Sequence, residues 1–218
     1  MSAILFDMDG TLVDSEPLWL SAEIEIMQEL GCTWTAEDQI ACLGGPRAKT
    51  EKMMQEKSGY QMPDGYFGNQ LDDLMELKLA NELKIYDGGL RLIEECKKFG
   101  LKVGLVTASG SRLMNVVLQN FPKDTFDIVV SGDDVINSKP DPEPYLKAAR
   151  DLSIDITQSV VIEDSPTGVT SGLAAGAQVI GIPHMIKLPE NINLRLIDKI
   201  DDLNLDKLLN WYPFLRGN

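Results

Sequence analysis

The sequence predicts an α/β fold in which a doubly wound, mainly parallel sheet carries an inserted bundle of α-helices. Two observations predict it. From residue 85 onward, short apolar runs alternate with amphipathic segments of helix length, the pattern of a parallel sheet with helices on both faces. Residues 17–83, in contrast, have helical periodicity and no strand signal, so they are expected to form a helical insertion.

The first strand is predicted at the apolar run Ile4 to Phe6, directly before Asp7, Asp9 and Gly10. Gly10 permits a tight turn because it has no Cβ. Ligands of open α/β sheets bind outside the carboxyl ends of the strands. Two carboxylates at this strand end indicate a reaction centre that needs a cation, because close like charges disfavour joint ionisation. An acidic turn that merely closes the strand is the alternative.

Four helices are predicted after this strand. Pro17 suits a helix start, the apolar residues after it recur every four positions, and Gly31 ends the repeat. Thr35 is expected to cap the second helix. The four helices are predicted at residues 17–30, 35–44, 46–57 and 64–83. Residues 16–83 are therefore expected to form a helical cap domain.

The remaining residues, 1–15 and 84–218, are expected to form the core domain. Beyond residue 84, predicted helices alternate with predicted strands. The helices are expected at residues 87–99, 111–120, 142–151, 166–175 and 201–209. The strands are expected at residues 101–106, 126–131, 159–162 and 179–182.

Composition and charge exclude several classes of function. The chain has 218 residues, 44% of them hydrophobic and 25% charged, which is typical of a globular protein. A net charge of −14 argues against nucleic acid and anionic membranes as partners. No apolar run reaches the roughly 18 residues that indicate a membrane span. Without a signal sequence, and with three scattered cysteines, the chain is expected to be cytoplasmic, with reduced thiols.

Three further motifs could carry chemistry. Thr107 and Ser109 offer hydroxyl and backbone N–H groups for a phosphate oxygen, although they could instead cap the next helix. Lys139 lies among three prolines that restrict its loop, and a solvated surface lysine is the alternative. Glu163 and Asp164 end an apolar strand and suit Mg²⁺, with an acidic helix start as the alternative.

The segment from Asp7 to Glu16, Asp-Met-Asp-Gly-Thr-Leu-Val-Asp-Ser-Glu, resembles the signature of the haloacid dehalogenase-like (HAD) phosphohydrolases. The later motifs match the family in order, so the resemblance covers nearly the whole chain and implies a Rossmann-like core with a helical cap. It implies a phosphatase in which Asp7 attacks phosphorus and forms an aspartyl-phosphate. Asp9 would act as acid and then as base, while Thr107 and Lys139 orient the transferring group.

The same resemblance implies a Mg²⁺ cofactor. The carboxylates of Asp7 and Asp164 and the backbone carbonyl of Asp9 would be ligands. Glu163 would lie behind these ligands or bind the ion through water. The resemblance also implies that Ser109 reaches the same phosphate oxygen as Thr107 or a neighbouring one.

Two residues of the predicted cap are candidate substrate contacts. Arg47 matches the cap arginine of β-phosphoglucomutase-like members and suits phosphate recognition; a surface arginine at a helix start is the alternative. Trp19 could line a sugar pocket or simply pack into the bundle. His184 is the only histidine and no GxSxG motif accompanies it, so it is interpreted as a loop residue without a catalytic role.

The expected function is hydrolysis of a small phosphorylated metabolite by a monomer. The segment from Asp14 to Trp19 resembles the sugar-phosphate phosphatases of the family. A β-phosphoglucomutase-type mutase is the alternative, but such mutases have a cap histidine where this chain has Trp19. Dehalogenases of the family lack the second aspartate, Asp9. A silent binding protein on the same fold would be indicated by loss of Asp7, Asp9, Lys139 or Asp164, and all four are present.

Overall fold

The computed structural model describes residues 1–42, 47–184 and 187–217. Its strands are β1 (Ala3–Phe6), β2 (Lys102–Val106), β3 (Ile128–Val130), β4 (Ser159–Glu163), β5 (Gln178–Gly181) and β6 (Leu194–Leu196). Within the described residues these strands form one six-stranded sheet of order β3-β2-β1-β4-β5-β6, in which every neighbouring pair is parallel. The predicted doubly wound α/β class is confirmed.

The helices are α1 (Glu16–Glu29), α2 (Ala36–Cys42), α3 (Arg47–Lys57), α4 (Tyr66–Glu82), α5 (Asp87–Phe99), α6 (Ser111–Leu118), α7 (Glu143–Asp151), α8 (Pro166–Ala175) and α9 (Leu205–Trp211). Helices α1 to α4 follow one another between β1 and α5 with no strand among their described residues, as predicted. The predicted helix end at residues 44–45 and the start at Pro46 lie outside the described residues.

Strand β1 is buried on both faces, which explains its uninterrupted apolar sequence. Ile4 and Phe6 belong to the hydrophobic core on one side of the sheet, and Ala3 and Leu5 belong to the core on the other side. Strands covered on both faces read as continuous hydrophobic runs in parallel sheets. The chain first builds the sheet outward through β2 and β3 and then returns to the opposite side of β1 with β4, so the switch point lies between β1 and β4.

Three predictions of secondary structure were wrong in detail. Strand β6 was missed because it is a short edge strand containing Arg195, with no apolar run. The last helix begins at Leu205 rather than at residue 201, because the Asn204 side chain accepts a hydrogen bond from the Lys207 N–H at 2.9 Å and caps it there. Strand β4 extends one residue beyond its prediction and includes Glu163.

The described residues of the helical segment, 16–42 and 47–83, pack beside the carboxyl ends of the strands. Helix α4 packs against α1 within the segment and against α6 of the core. Arg112 of α6 binds the carboxylates of Asp73, at 2.8 Å, and Glu76 on α4. This packing holds α1 above the loops that follow β1 and β2. None of the helices in the described part of the chain combines the length and apolar character that crossing a membrane requires.

Candidate active site

The site begins where β1 ends. Asp7 continues the sheet for one residue, because its N–H donates to the Ile162 carbonyl of β4 at 2.9 Å. Gly10 then turns the chain with a φ of +77°, and a side chain at residue 10 would collide with the Asp164 carboxylate. Glycine is therefore required for both the turn and the close approach of the two loops. The switch point of the sheet thus brings Asp7 beside Asp164.

Lys139 is buried beneath Asp7, and its ammonium group donates three hydrogen bonds. Its Nζ donates to Asp7 Oδ1 at 2.7 Å, to Glu163 Oε1 at 2.6 Å and to the Val106 carbonyl at 2.8 Å. Burial by itself lowers the pKa of Lys139, but the carboxylates of Asp7 and Glu163 outweigh it and raise that pKa above its ordinary value. The lysine is therefore a fixed positive charge, and a solvated surface lysine is ruled out.

Glu163 points back toward this lysine. Its side chain is fully buried and accepts hydrogen bonds from Lys139 Nζ and from Tyr145 Oη, the latter at 2.7 Å. Gly168 leaves room for the carboxylate, since a Cβ there would overlap it. Through these contacts Glu163 holds Lys139 in position. The sequence predicted Glu163 behind the metal ligands or bound to the ion through water, and it did not predict this contact with Lys139.

Asp9 is held between hydroxyl groups from two loops. Ser15 Oγ donates to Asp9 Oδ1 at 2.7 Å, and Ser109 Oγ donates to Asp9 Oδ2 at 2.7 Å. Thr107 Oγ1 lies 3.4 Å from the same Oδ2 and accepts a hydrogen bond from the Ser109 N–H at 3.0 Å. Asp9, Thr107 and Ser109 therefore meet at the ends of β1 and β2, as the strand pattern predicted.

Three carboxylates are close enough to share a metal ion. Asp7, Glu163 and Asp164 each offer an oxygen, and these oxygens lie within 4.8 Å of one another. Burial, followed by the repulsion of Glu163, raises the pKa of Asp7 to about 8, despite the opposing effect of Lys139. Burial and the charge of Asp7 raise the pKa of Asp164 well above its ordinary value.

This charge balance tests whether the residues suit Mg²⁺. One lysine cannot neutralise three clustered carboxylates, and a bound divalent cation would favour their ionised forms. Mg²⁺ prefers oxygen ligands and is held by one or two carboxylates. Asp7 and Asp164 fit that preference, whereas the Glu163 carboxylate already accepts hydrogen bonds from Lys139 and Tyr145.

A cavity of about 210 Å³ opens beside Asp9, between the helical segment and the loop after β2. Its polar lining includes Glu16, Glu23, Gln39 and Arg47, and Trp19 is half-buried in its wall. Both predicted contact residues of the cap therefore lie at the cavity. The guanidinium of Arg47 is engaged within the helical segment, where it binds Asp72 at 2.6 Å and the Gly68 carbonyl.

The sequence matches the family model described as haloacid dehalogenase-like hydrolase over residues 4–182. This chain belongs to that family. The match includes the loops after β1, β2 and β4 and the Lys139 loop, which together carry the clustered carboxylates and the lysine. The resemblance inferred from the motifs is confirmed, and the chain is an enzyme of the HAD-like hydrolase family.

Individual relatives of this HAD-like hydrolase are similar along most of their length. Hexitol phosphatase B of Escherichia coli K12 is 32% identical over 189 residues, covering 83% of each chain. A phosphorylated carbohydrates phosphatase of Thermotoga maritima is 29% identical over 192 residues, covering 85% of this chain and 87% of its own. A crystal structure of a CbbY variant from Rhodobacter sphaeroides in complex with xylulose 1,5-bisphosphate is 25% identical, with a TM-score of 0.83, covering 95% of this chain and 99% of its own.

Three residues near the HAD motifs were missed as contributors. Ser15 fixes Asp9, and its only signal in the sequence was its place within the first motif. Tyr145 supports Glu163 but reads as an ordinary apolar position of α7. Glu23 lies among apolar residues of α1, where a buried carboxylate is unexpected. His184 lies in a loop as predicted, and its Nε2 is 2.8 Å from the Gly10 carbonyl oxygen.

Proposed function

We propose that this HAD-like hydrolase is a Mg²⁺-dependent phosphatase that hydrolyses a small sugar phosphate through an aspartyl-phosphate on Asp7. The observation that carries the proposal is the asymmetric setting of Asp7. Its Oδ1 is bound to Lys139, while its Oδ2 accepts no hydrogen bond from the described residues. A carboxylate held at one oxygen and open at the other suits in-line attack on phosphorus.

In the first half of the reaction, Asp7 Oδ2 forms a bond to phosphorus as the bond to the leaving oxygen breaks. Asp9 gives its proton to that oxygen, so the alcohol leaves neutral. Ser15 and Ser109 keep the Asp9 carboxyl in place for this transfer. Lys139 opposes the negative charge that develops near Asp7.

In the second half, Asp9 is ionised and takes a proton from water. The water oxygen then bonds to phosphorus, and the bond between phosphorus and Asp7 breaks. Asp7 regains its carboxylate, and inorganic phosphate leaves. Asp9 is again protonated, so one cycle returns it to its starting protonation state.

Asp7, Asp164 and the backbone carbonyl of Asp9 would hold Mg²⁺. When bound, the ion supplies positive charge to the oxygens of the transferring phosphoryl group. Thr107 offers a hydroxyl group at the neighbouring strand end, where it orients one of these phosphate oxygens, while the Ser109 hydroxyl remains bound to Asp9. Glu163 keeps Lys139 aligned beneath Asp7.

The helical segment, residues 16–83, acts in this proposal as a cap domain on the core of residues 1–15 and 84–218. The cavity between them receives the organic part of the substrate and excludes bulk water. Its size and its polar lining suit a small hydroxylated molecule. The names of the relatives, a hexitol phosphatase and a phosphorylated carbohydrates phosphatase, support the same substrate class.

Trp19 favours hydrolysis over the mutase alternative. A mutase must keep its aspartyl-phosphate from water until a second sugar hydroxyl arrives, and it needs a cap group that helps select that hydroxyl. The indole of Trp19 only donates a hydrogen bond and cannot act as a base. Water is therefore expected to reach the intermediate.

The test is to assay purified protein on a panel of sugar phosphates with and without Mg²⁺, measuring phosphate and dephosphorylated sugar together. We expect the two products in equal amounts, no activity after EDTA treatment, and recovery on adding Mg²⁺. Asp7→Asn, which removes the attacking charge with little change in shape, is expected to lower kcat at least a thousandfold. Near-normal turnover by that variant would contradict the nucleophile.

The mutase alternative is tested in the same assay with β-glucose 1-phosphate and a trace of glucose 1,6-bisphosphate. Phosphate release without conversion to glucose 6-phosphate supports the phosphatase. Conversion much faster than phosphate release would show that the chain is a mutase.

A further inference from the structure

One face of helix α1 forms a wall of the cavity. Glu16, Trp19 and Glu23 are spaced three and four residues apart, so they lie on the same side of the helix, and all three line the cavity. Glu23 lies farthest along α1 from the loop that follows β1. Its residue surface is only 5% exposed, although a glutamate is seldom buried to this extent without a charged partner.

Among the described residues, only one of the two Glu23 oxygens has a hydrogen-bond partner. Trp34 Nε1 donates to Oε2 at 2.8 Å, whereas Oε1 accepts no hydrogen bond from residues 1–42, 47–184 or 187–217. The cavity therefore presents an acceptor that a donor group on a bound molecule would satisfy.

No lysine or arginine of the described residues compensates Glu23. The guanidinium lining the same cavity, that of Arg47, is bound to Asp72 and to the Gly68 carbonyl. Burial, followed by repulsion from Asp38 and in spite of the Trp34 hydrogen bond, raises the pKa of Glu23 to about 7. The described residues therefore supply neither a second donor nor a cationic partner to the Glu23 carboxylate.

We propose that Glu23 is a specificity-determining residue that accepts a hydrogen bond from a hydroxyl group of the leaving alcohol. It thereby selects neutral, polyhydroxylated phosphoesters and discriminates against leaving groups that carry a carboxylate. This inference rests on the proposed function, since it concerns the part of the substrate remote from the phosphate. Asp9 and Glu23 line one cavity, so a single molecule spans the reacting end and the acceptor.

A hydroxyl fits the cavity better than a quaternary ammonium group. Recognition of a quaternary ammonium commonly uses a cage of several aromatic rings, but Trp19 is the single aromatic residue among the described cavity-lining residues. Separate polar groups along it, including Gln39 and Thr50, suit a chain of several hydroxyls.

The volume agrees with a molecule of this kind. About 210 Å³ is roughly seven times the share of liquid volume that one water occupies, about 30 Å³. It is smaller than the typical pockets for drug-sized ligands, which begin near 300 Å³. A six-carbon polyol chain is therefore of a size that suits this cavity.

The test compares Glu23→Gln with the wild type on four phosphoesters. The glutamine keeps an oxygen to accept the Trp34 hydrogen bond but can offer an amide donor where the carboxylate offers an acceptor. The matched control is Glu29→Gln, which makes the same change at an exposed position of α1. The substrates are a hexitol 6-phosphate, p-nitrophenyl phosphate, phosphoglycolate and phosphoethanolamine.

We expect Glu23→Gln to lower kcat/KM for the hexitol phosphate at least tenfold, mainly through KM, as the loss of a hydrogen bond to a charged group predicts. Activity on p-nitrophenyl phosphate, which has no hydroxyl, stays within twofold. Activity on phosphoglycolate rises, because a repulsive charge is removed. Glu29→Gln is expected to match the wild type on all four.

An equal fall on every substrate would show that Glu23 is only structural, and an unchanged hexitol phosphate activity would overturn the proposal. A loss confined to phosphoethanolamine would overturn the choice of a hydroxyl. Calorimetric binding of the hexitol phosphate to Asp7→Asn, with and without Glu23→Gln, does not need turnover. It therefore tests Glu23 even if the wild type hydrolyses none of the four, a result that would contradict the proposed function alone.

Discussion

Lys139 shows how much of the site depends on one side chain. It is the only positive charge in direct contact with Asp7 and Glu163 among the described residues, and all three of its protons are used. Removing one partner of a buried ion pair destabilises a protein more than replacing the whole pair by apolar residues, because the remaining charges keep their desolvation cost. Here two carboxylates would be left without their counter-ion.

We therefore expect Lys139→Met to abolish phosphatase activity and to lower the free energy of unfolding by about 3–5 kcal/mol at pH 7. Urea denaturation followed by circular dichroism measures the second effect. Lys98→Met is the control, because the exposed Lys98–Glu94 pair should contribute less than about 1 kcal/mol. Equal, small losses of unfolding free energy in the two variants would contradict the role of Lys139 as the counter-ion of Asp7 and Glu163.

Helix α1 is stabilised on its inner face by packing but carries two acidic groups there. Leu18, Ala22 and Ile26 belong to the hydrophobic core. Burial, followed by the negative charge of Asp9, raises the pKa of Glu16 to about 7, close to the value reached by Glu23. Holding these two carboxyl groups at the cavity therefore costs the folded protein some stability at neutral pH.

This placement predicts a pH dependence of stability. The pKa of Glu23 is about 7 in the folded protein against an ordinary 4.5, so the folded state binds the proton more tightly. The contribution of Glu23 to stability is fully present below pH 4.5 and is lost as the pH rises toward and through 7. Relative to the wild type, Glu23→Gln should therefore gain about 1–3 kcal/mol between pH 5 and pH 8.

Urea unfolding at a series of pH values gives this difference directly. Glu29→Gln, at an exposed position of the same helix, is expected to follow the wild-type curve. A Glu23→Gln curve parallel to the wild type from pH 5 to pH 8 would show that the carboxyl titrates normally.

The molecule as a whole is acidic, and its sheet places more negative charge at the strand ends. With a net charge of −14, the chain attracts cations non-specifically, so a metal effect must be separated from screening. The proposed metal site is the meeting point of β1 and β4, where Asp7 is buried and Asp164 is half-buried. A ligand that binds only the folded state stabilises it by mass action.

Mg²⁺ at about a hundred times its dissociation constant should add about 2.7 kcal/mol, which corresponds to a rise in Tm of roughly 5–10 °C for a chain of this length. Differential scanning calorimetry at constant ionic strength measures the rise. Asp164→Asn, which removes a predicted ligand, should abolish it. An equal rise in the wild type and the variant would point to screening of the overall charge.

The sequence by itself determined the fold class and the positions of the motifs. Apolar runs mark strands buried on both faces, and the polar residues after them must fall at one edge of a parallel sheet. Asp7, Asp9, Thr107 and Asp164 were predictable for this reason, because each lies within three residues after the end of such a run. Lys139 was identified by its proline-rich loop and by resemblance, since it follows no strand directly.

Only the tertiary structure decided which groups touch. The contacts of Glu163 with Lys139 and Tyr145, and of Ser15 with Asp9, join residues whose pairing no local periodicity encodes. The cavity depends on how α1 lies against the core, which is set by packing between α4 and α6, far along the chain. A pattern along a chain reports which face is buried, whereas hydrogen bonds and cavities depend on distances between separate elements, and these are fixed only when the elements pack.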